Sequence, residues 1–258
     1  MVISTRWVWD GMTEDFFWSV FETIIRIRKR TPEEYIKSLI GRMARVEKNF
    51  TSSSTSISWH AYRAAEKLKS PEYYPILKKF ILSDQDHERN EKEIREAYFI
   101  MGKLLGKVSS DEYCKFYIQQ LEKETDIDII ACMLDRLSEI SISSDIDINP
   151  VVVHSQSDKW LVRHSAIKAL GSSDRKESRD ALAYYLNQAN ERKYRYEIYY
   201  AASAIAEIGE VEDISMLEKH LDSRDKDIRY SSEFAIEKIR GRHNCSVGQG
   251  TAGKNGVM

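Results

Sequence analysis

The sequence predicts an all-α chain, a right-handed α-solenoid of about six helix-turn-helix repeats. Three observations point there. Chain breakers are scarce, with 11 Gly and 4 Pro among 258 residues, while 31% of the residues are charged. Apolar residues recur at helical rather than alternating strand spacing. A pattern of small and apolar residues also returns at near-regular intervals, the signature of a repeat architecture.

The pattern is clearest in "VRHSAIKALG", residues 162–171. The stretches "IYYAASAIAEIG", "IRYSSEFAIEKI" and "IIACMLDRLSEI" fit the same register, and "IREAYFIMGKLLG" and "HAYRAAEKLK" fit it more loosely. Equivalent positions are Leu68, Gly102, Leu137, Leu170, Ile205 and Ile236, separated by 34, 35, 33, 35 and 31 residues. Each stretch is the second helix of a unit. Its small residues, such as Ala166 and Ala169 or Ala201 and Ala204, let neighbouring helices approach closely.

The first helices follow in order. Residues 13–30 form an expected N-terminal capping helix with Phe17, Val20, Phe21 and Ile24 on its apolar face. A membrane-surface helix is the sharper alternative there, because Trp18 and the basic end suit anionic lipid; Glu22 and the acidic start count against it. At Thr31-Pro32-Glu33-Glu34 a hydroxyl can cap the helix, proline loses nothing at the first position, and carboxylates complement the dipole. Ser70-Pro71-Glu72 and Asn149-Pro150 repeat the device, and Pro75 marks a kink or a later start. "DEYCKFYIQQL", "SRDALAYYL" and "DISMLEKHL" supply the remaining first helices. A single hairpin cannot bury its apolar face, so the units must stack. The repeat domain spans 31–242, and the Gly-rich stretch 243–258 is expected to be a disordered tail.

The second helices resemble HEAT-like repeats, particularly the short class of phycobilin-lyase-like proteins whose second helix reads "VRxxAAxALGxIG". "VRHSAIKALG" and "AASAIAEIG" carry the likeness, which extends over roughly residues 31–241. The resemblance implies a HEAT-like solenoid and leaves function open.

Chemical motifs are weak. A net charge of −2 and a pI near 6.3 argue against a strongly basic, phosphate-gripping domain. Cys114, Cys132 and Cys245 are odd in number and widely spaced, which is neither a disulfide framework nor a zinc pattern. The N-terminal stretch lacks a signal-peptide pattern and no apolar run is long enough to span a membrane, so a cytoplasmic setting is expected. Gly248, Gly250 and Gly253 spell GxGxxG without the strand-and-helix context of a dinucleotide site. Some HEAT-like enzymes bind iron through His-Glu pairs on successive repeats; here there is one pair, His87-Glu88, and His164-Ser165 at the equivalent helical site. Nucleophile elbows and P-loops are absent. No catalytic residue, metal or small-molecule cofactor is therefore expected.

What remains is a surface. The third template position holds Tyr62, Glu96, Ala131, His164, Tyr199 and Tyr230; the seventh holds Glu66, Ile100, Asp135, Lys168, Ser203 and Phe234. Both point away from the core at 100° per residue. His164, Tyr199, Tyr230 and Phe234 thus form an aromatic strip suited to a peptide-binding groove. Residues 183–200 add Tyr194, Tyr196 and Tyr200, with Arg192, Lys193 and Arg195 interleaved, as a tyrosine-rich inter-helix connection. The same residues could simply pack between adjacent helices. The expected function is a non-catalytic scaffold binding a protein or peptide through its concave face and this connection. Nucleic-acid binding, including alkylpurine DNA glycosylase chemistry, is the alternative, with Trp59 and Trp160 near the starts of second helices and the acidic balance against it, as is phycobilin-lyase-like handling of a chromophore. A membrane surface is not the expected partner.

Overall fold

The computed structural model describes residues 30–47, 52–83 and 90–248. Among them twelve α-helices follow one another and no strand occurs. They form six hairpins: α1 (Pro32–Met43) with α2 (Ile57–Ala65), α3 (Tyr73–Ser83) with α4 (Glu91–Leu105), and α5 (Asp111–Leu121) with α6 (Ile127–Leu137). Then come α7 (Asn149–Ser155) with α8 (Trp160–Leu170), α9 (Lys176–Leu186) with α10 (Arg195–Ile208), and α11 (Ile214–Glu218) with α12 (Lys226–Gly248). The fold is an α-solenoid. The capping helix expected over 13–30 and the pair His87-Glu88 lie outside the described residues, Arg30 excepted. So do Gly250 and Gly253, whereas α12 continues to Gly248 and so enters the stretch expected to be a tail.

Local chemistry accounts for the helix starts. Thr31 caps α1 with a full capping box: the Glu34 amide donates to the Thr31 hydroxyl at 3.2 Å and the Thr31 amide to the Glu34 carboxylate at 2.9 Å. Ser56 caps α2 and Asp126 caps α6 in the simpler way. Pro75 marks a later start rather than a kink. Residues 71–72 form a turn, and α3 begins at Tyr73, so Pro75 sits in the first turn, where a missing N–H costs nothing. Asn149 is not the cap of α7 but its first residue, because its amide is held by Asp147 at 2.9 Å.

The hairpins stack through neighbours one repeat away. Second helices pack in the order α4, α6, α8, α10, α12. Two of the close approaches between second helices fall at Gly102 and Gly171. A Cβ on Gly102 would lie 2.4 Å from Cβ of Arg136 on α6, and one on Gly171 would lie 3.0 Å from the Ala204 backbone on α10. On the other layer, a side chain at or just past the end of α7, α9 and α11 reaches the last carbonyls of the preceding first helix. His154 Nε2 lies 3.2 Å from the Leu121 carbonyl, Tyr185 donates to Ser155 at 2.5 Å, and His220 Nε2 lies 2.8 Å from the Leu186 carbonyl. These bonds satisfy helix-end carbonyls that otherwise lack partners. One continuous apolar core runs beneath, from Ile36 to Ile239.

Candidate protein-interaction face

Three successive second helices carry aromatic side chains four residues apart: Trp160 and His164 on α8, Tyr196 and Tyr200 on α10, Tyr230 and Phe234 on α12. Residues at that spacing stand one above the other on a helix, so each of the three helices presents a pair of rings on one side. Four of them face solvent: Trp160 is 64% exposed, Tyr230 58%, Phe234 56% and Tyr196 54%. His164 and Tyr200 are half-buried. The His164 ring joins the first two helices, its centroid 5.8 Å from Trp160, 5.8 Å from Tyr196 and 5.3 Å from Tyr200. Exposed large rings on three successive second helices are a kind of surface that packing within the solenoid does not use.

Beneath the patch lies a buried carboxylate. Glu197 Oε1 accepts from Arg163 Nε at 2.8 Å and Nη2 at 2.8 Å, with His164 Nε2 at 3.2 Å. Arg163 also donates to the Ser157 carbonyl at 2.6 Å, which clamps the α7–α8 connection onto α10. Burial by itself pushes the Glu197 carboxyl up. Its backbone hydrogen bond and the donors Arg163 and His164 outweigh burial and hold it below the usual carboxylate value. Burial, seconded by the Arg163 and Lys168 charges, holds the His164 imidazole below its ordinary value despite Glu197. His164 is therefore neutral at pH 7 and donates through Nε2–H. It orients the patch and has no nucleophile beside it.

Most cations beside the rings are already paired. Lys168 sits over Tyr200 at 5.7 Å and pairs with Asp135 at 2.5 Å. Arg195 lies over Tyr196 at 5.3 Å and pairs with Asp225 at 2.5 Å and Asp227 at 3.1 Å. Lys238 lies over Phe234 at 5.7 Å and pairs with Glu207 at 2.6 Å. Each of these three pairs joins adjacent repeats. Arg229, over Tyr230 at 5.3 Å, donates to the Ser223 carbonyl at 2.8 Å.

Several expected positions shift. Arg195 and Tyr196 belong to the first turn of α10 rather than to the connection, which spans residues 187–194. Arg192 and Lys193 are exposed there, and neither has an ion-pair partner among the described residues. Lys193 lies 4.8 Å over Tyr194, which packs towards Tyr185 beside a cleft of about 480 Å³. Glu191 anchors the connection through His220 Nδ1 at 2.8 Å and the Ser223 hydroxyl at 2.7 Å. Tyr199 and Tyr200 both pack partly against the core, and of the two it is Tyr200 whose ring lies beside His164. The strip also ends at α8. Upstream, Ala131 and Ile100 are buried, and Glu96, 1% exposed, is held by Arg95 at 2.6 Å and by the Tyr62 hydroxyl at 2.6 Å. Trp160 was absent from the expected strip. The four-residue spacing of Trp160 to His164, Tyr196 to Tyr200 and Tyr230 to Phe234 is the signal that would have found it. No cluster of three or more metal-ligating side chains occurs among the described residues.

Comparison with known families shows what part of the chain is similar to. A model of HEAT repeats matches residues 149–237, the span from α7 into α12 that contains all six rings. No curated protein matches the chain. Among solved structures, two designed armadillo repeat proteins are similar in outline. One has 15% identity and a TM-score of 0.45 over 79% of this chain and 99% of its own. The other, solved in complex with the peptide (KR)4, has 14% identity and a TM-score of 0.44 over the same shares. Human deoxyhypusine hydroxylase has 12% identity and a TM-score of 0.35 over 86% of this chain and 99% of its own. At these scores none of the three bears on what this chain binds.

Proposed function

We propose that the protein is a binding scaffold whose second-helix face, across the last three repeats, holds a protein or peptide partner. The paired rings on α8, α10 and α12 carry this reading: four of the six are more than half exposed, on three successive second helices. Trp and Tyr supply large contact area at little entropic cost, which is why they dominate binding hot spots. The 187–194 connection, with unpaired Arg192 and Lys193 at its tip, extends the face at one edge. The paired cations favour protein over nucleic acid, since phosphate binding draws its strength from cations free to neutralise it.

The test is affinity capture from the native cell with the wild-type chain and a Trp160→Ala/Tyr196→Ala variant. Both side chains are exposed, so the variant is expected to keep its helical circular dichroism and melting temperature while losing the captured partner. A folded variant that captures the same partner as well as wild type refutes the site.

A further inference from the structure

The same few positions of a second helix meet the second helix that follows it. They are counted from the equivalent residues Leu68, Gly102, Leu137, Leu170, Ile205 and Ile236. Six residues before, Tyr62 donates to Glu96 at 2.6 Å with its ring 5.0 Å from Phe99, and His164 lies 3.2 Å from Glu197. Three before, the Phe99 ring lies 5.1 Å from the Arg136 guanidinium. Two before, Asp135 pairs with Lys168 at 2.5 Å, and Lys168 lies 5.7 Å over Tyr200. One after, Lys103 pairs with Glu139 at 2.6 Å, and Gly171 abuts Ala204.

On α12 these four positions hold Tyr230, Glu233, Phe234 and Glu237, which share one face at 100° per residue. All four are exposed, and a Cβ on Gly241, one turn further along, would meet nothing within 4 Å. No described helix covers this face, and residues 249–258 carry too few apolar side chains to cover it. Asp227 is matched by Arg195, and Lys238 and Arg240 at the margins are matched by Glu207 and Glu218. Glu233 and Glu237 have no ion-pair partner among the described residues, and the unpaired cation Lys226 stands two turns before Glu233.

The earlier repeats show how such a face is complemented. Where Lys103 stands in the place of Glu237, the next helix supplies the carboxylate Glu139; where Asp135 stands in the place of Phe234, it supplies the cation Lys168. Complementing α12 by the same rule takes a helix that lays apolar side chains on Tyr230 and Phe234. It must also bring two cations, one turn apart, to Glu233 and Glu237.

We propose that the outer face of α12 docks a basic amphipathic helix of a partner protein, which takes the place of a following second helix. The proposal rests on the protein-binding reading above.

Fluorescence anisotropy against the full chain tests it with an array of labelled amphipathic helical peptides carrying two Lys or Arg one turn apart. The controls are the same peptides with Glu at those positions, a scrambled basic peptide and a single-stranded oligonucleotide. Members of the basic helical array are expected to bind best, and more weakly as salt rises. Glu233→Lys/Glu237→Lys is expected to weaken that binding by about tenfold or more and to favour the acidic peptides. Phe234→Ser is expected to weaken binding of both kinds. The three side chains are exposed, so both variants are expected to keep the wild-type circular dichroism. Equal binding of the scrambled peptide, unchanged binding by the charge-reversed variant, or no binding by the array overturns the helix assignment. Light scattering that shows a wild-type dimer and a Phe234→Ser monomer gives the face to a second copy and also overturns it. In each of these cases the capture experiment on Trp160 and Tyr196 still decides the protein-binding reading. Binding of the oligonucleotide alone overturns both.

Discussion

Glu197 and His164 set the pH response of the aromatic face. The folded chain holds the Glu197 carboxyl below its ordinary value, so its stabilising contribution is present above the unfolded value and is lost as pH falls through the folded one. His164 is also lowered, so the unfolded chain takes up its proton first. That contribution is intact above the ordinary imidazole value, about 6.5, and declines as pH falls through it. The wild-type unfolding free energy is therefore expected to drop between about pH 7 and pH 5. His164→Gln is expected to flatten that slope while leaving the lower-pH decline that belongs to the carboxylates. Urea titrations at several pH values check this, and an unchanged slope in the variant would exclude His164 as its source. The residues themselves were legible: His164, Arg163 and the tyrosines stood out in sequence. That Glu197 sits beneath them was not, because a carboxylate at an apolar position of the template reads as an irregularity until its two donors from the preceding repeat are seen.

At the scale of helices, the glycines separate local propensity from packing. Gly41 lies inside α1 with nothing within 4 Å of where a Cβ would stand, whereas a Cβ on Gly102 would collide with Arg136. Gly41→Ala is expected to stabilise the protein by about 0.5–1 kcal/mol through helix propensity. Gly102→Ala is expected to destabilise it by about 1–3 kcal/mol, since overpacking outweighs the same local gain. Thermal melts of the two variants distinguish the cases, and shifts of the same sign would refute the close-approach account. Capping signals such as Thr31 to Glu34 marked element starts well because they are satisfied within a few residues of chain. The register of α10 was harder to read. Its Ala-rich stretch fits two alignments one residue apart, and only the tertiary contact shows that Tyr200, not Tyr199, lies beside His164.

Across the whole molecule, stability is carried by contacts between adjacent repeats, with the second helices from α4 to α12 forming the continuous stack. Such a stack opens from its ends. Amide hydrogen exchange is expected to be slowest in α6, α8 and α10 and faster in α1 and α2, where α2 joins the stack chiefly through Tyr62 to Glu96 and Phe99. Uniform protection along the chain would contradict a nearest-neighbour solenoid. The sequence by itself determined that the chain is helical, that it repeats about six times and that its last repeats resemble HEAT repeats. Periodicity, caps and small residues act within one hairpin or recur at fixed spacing, so they are written along the chain. Only the tertiary structure decided which aromatic rings share a face, which cations are already paired across repeats, and where the strip stops. Those properties depend on a neighbour about thirty-four residues away, and a shift of one residue there turns a side chain by about 100°.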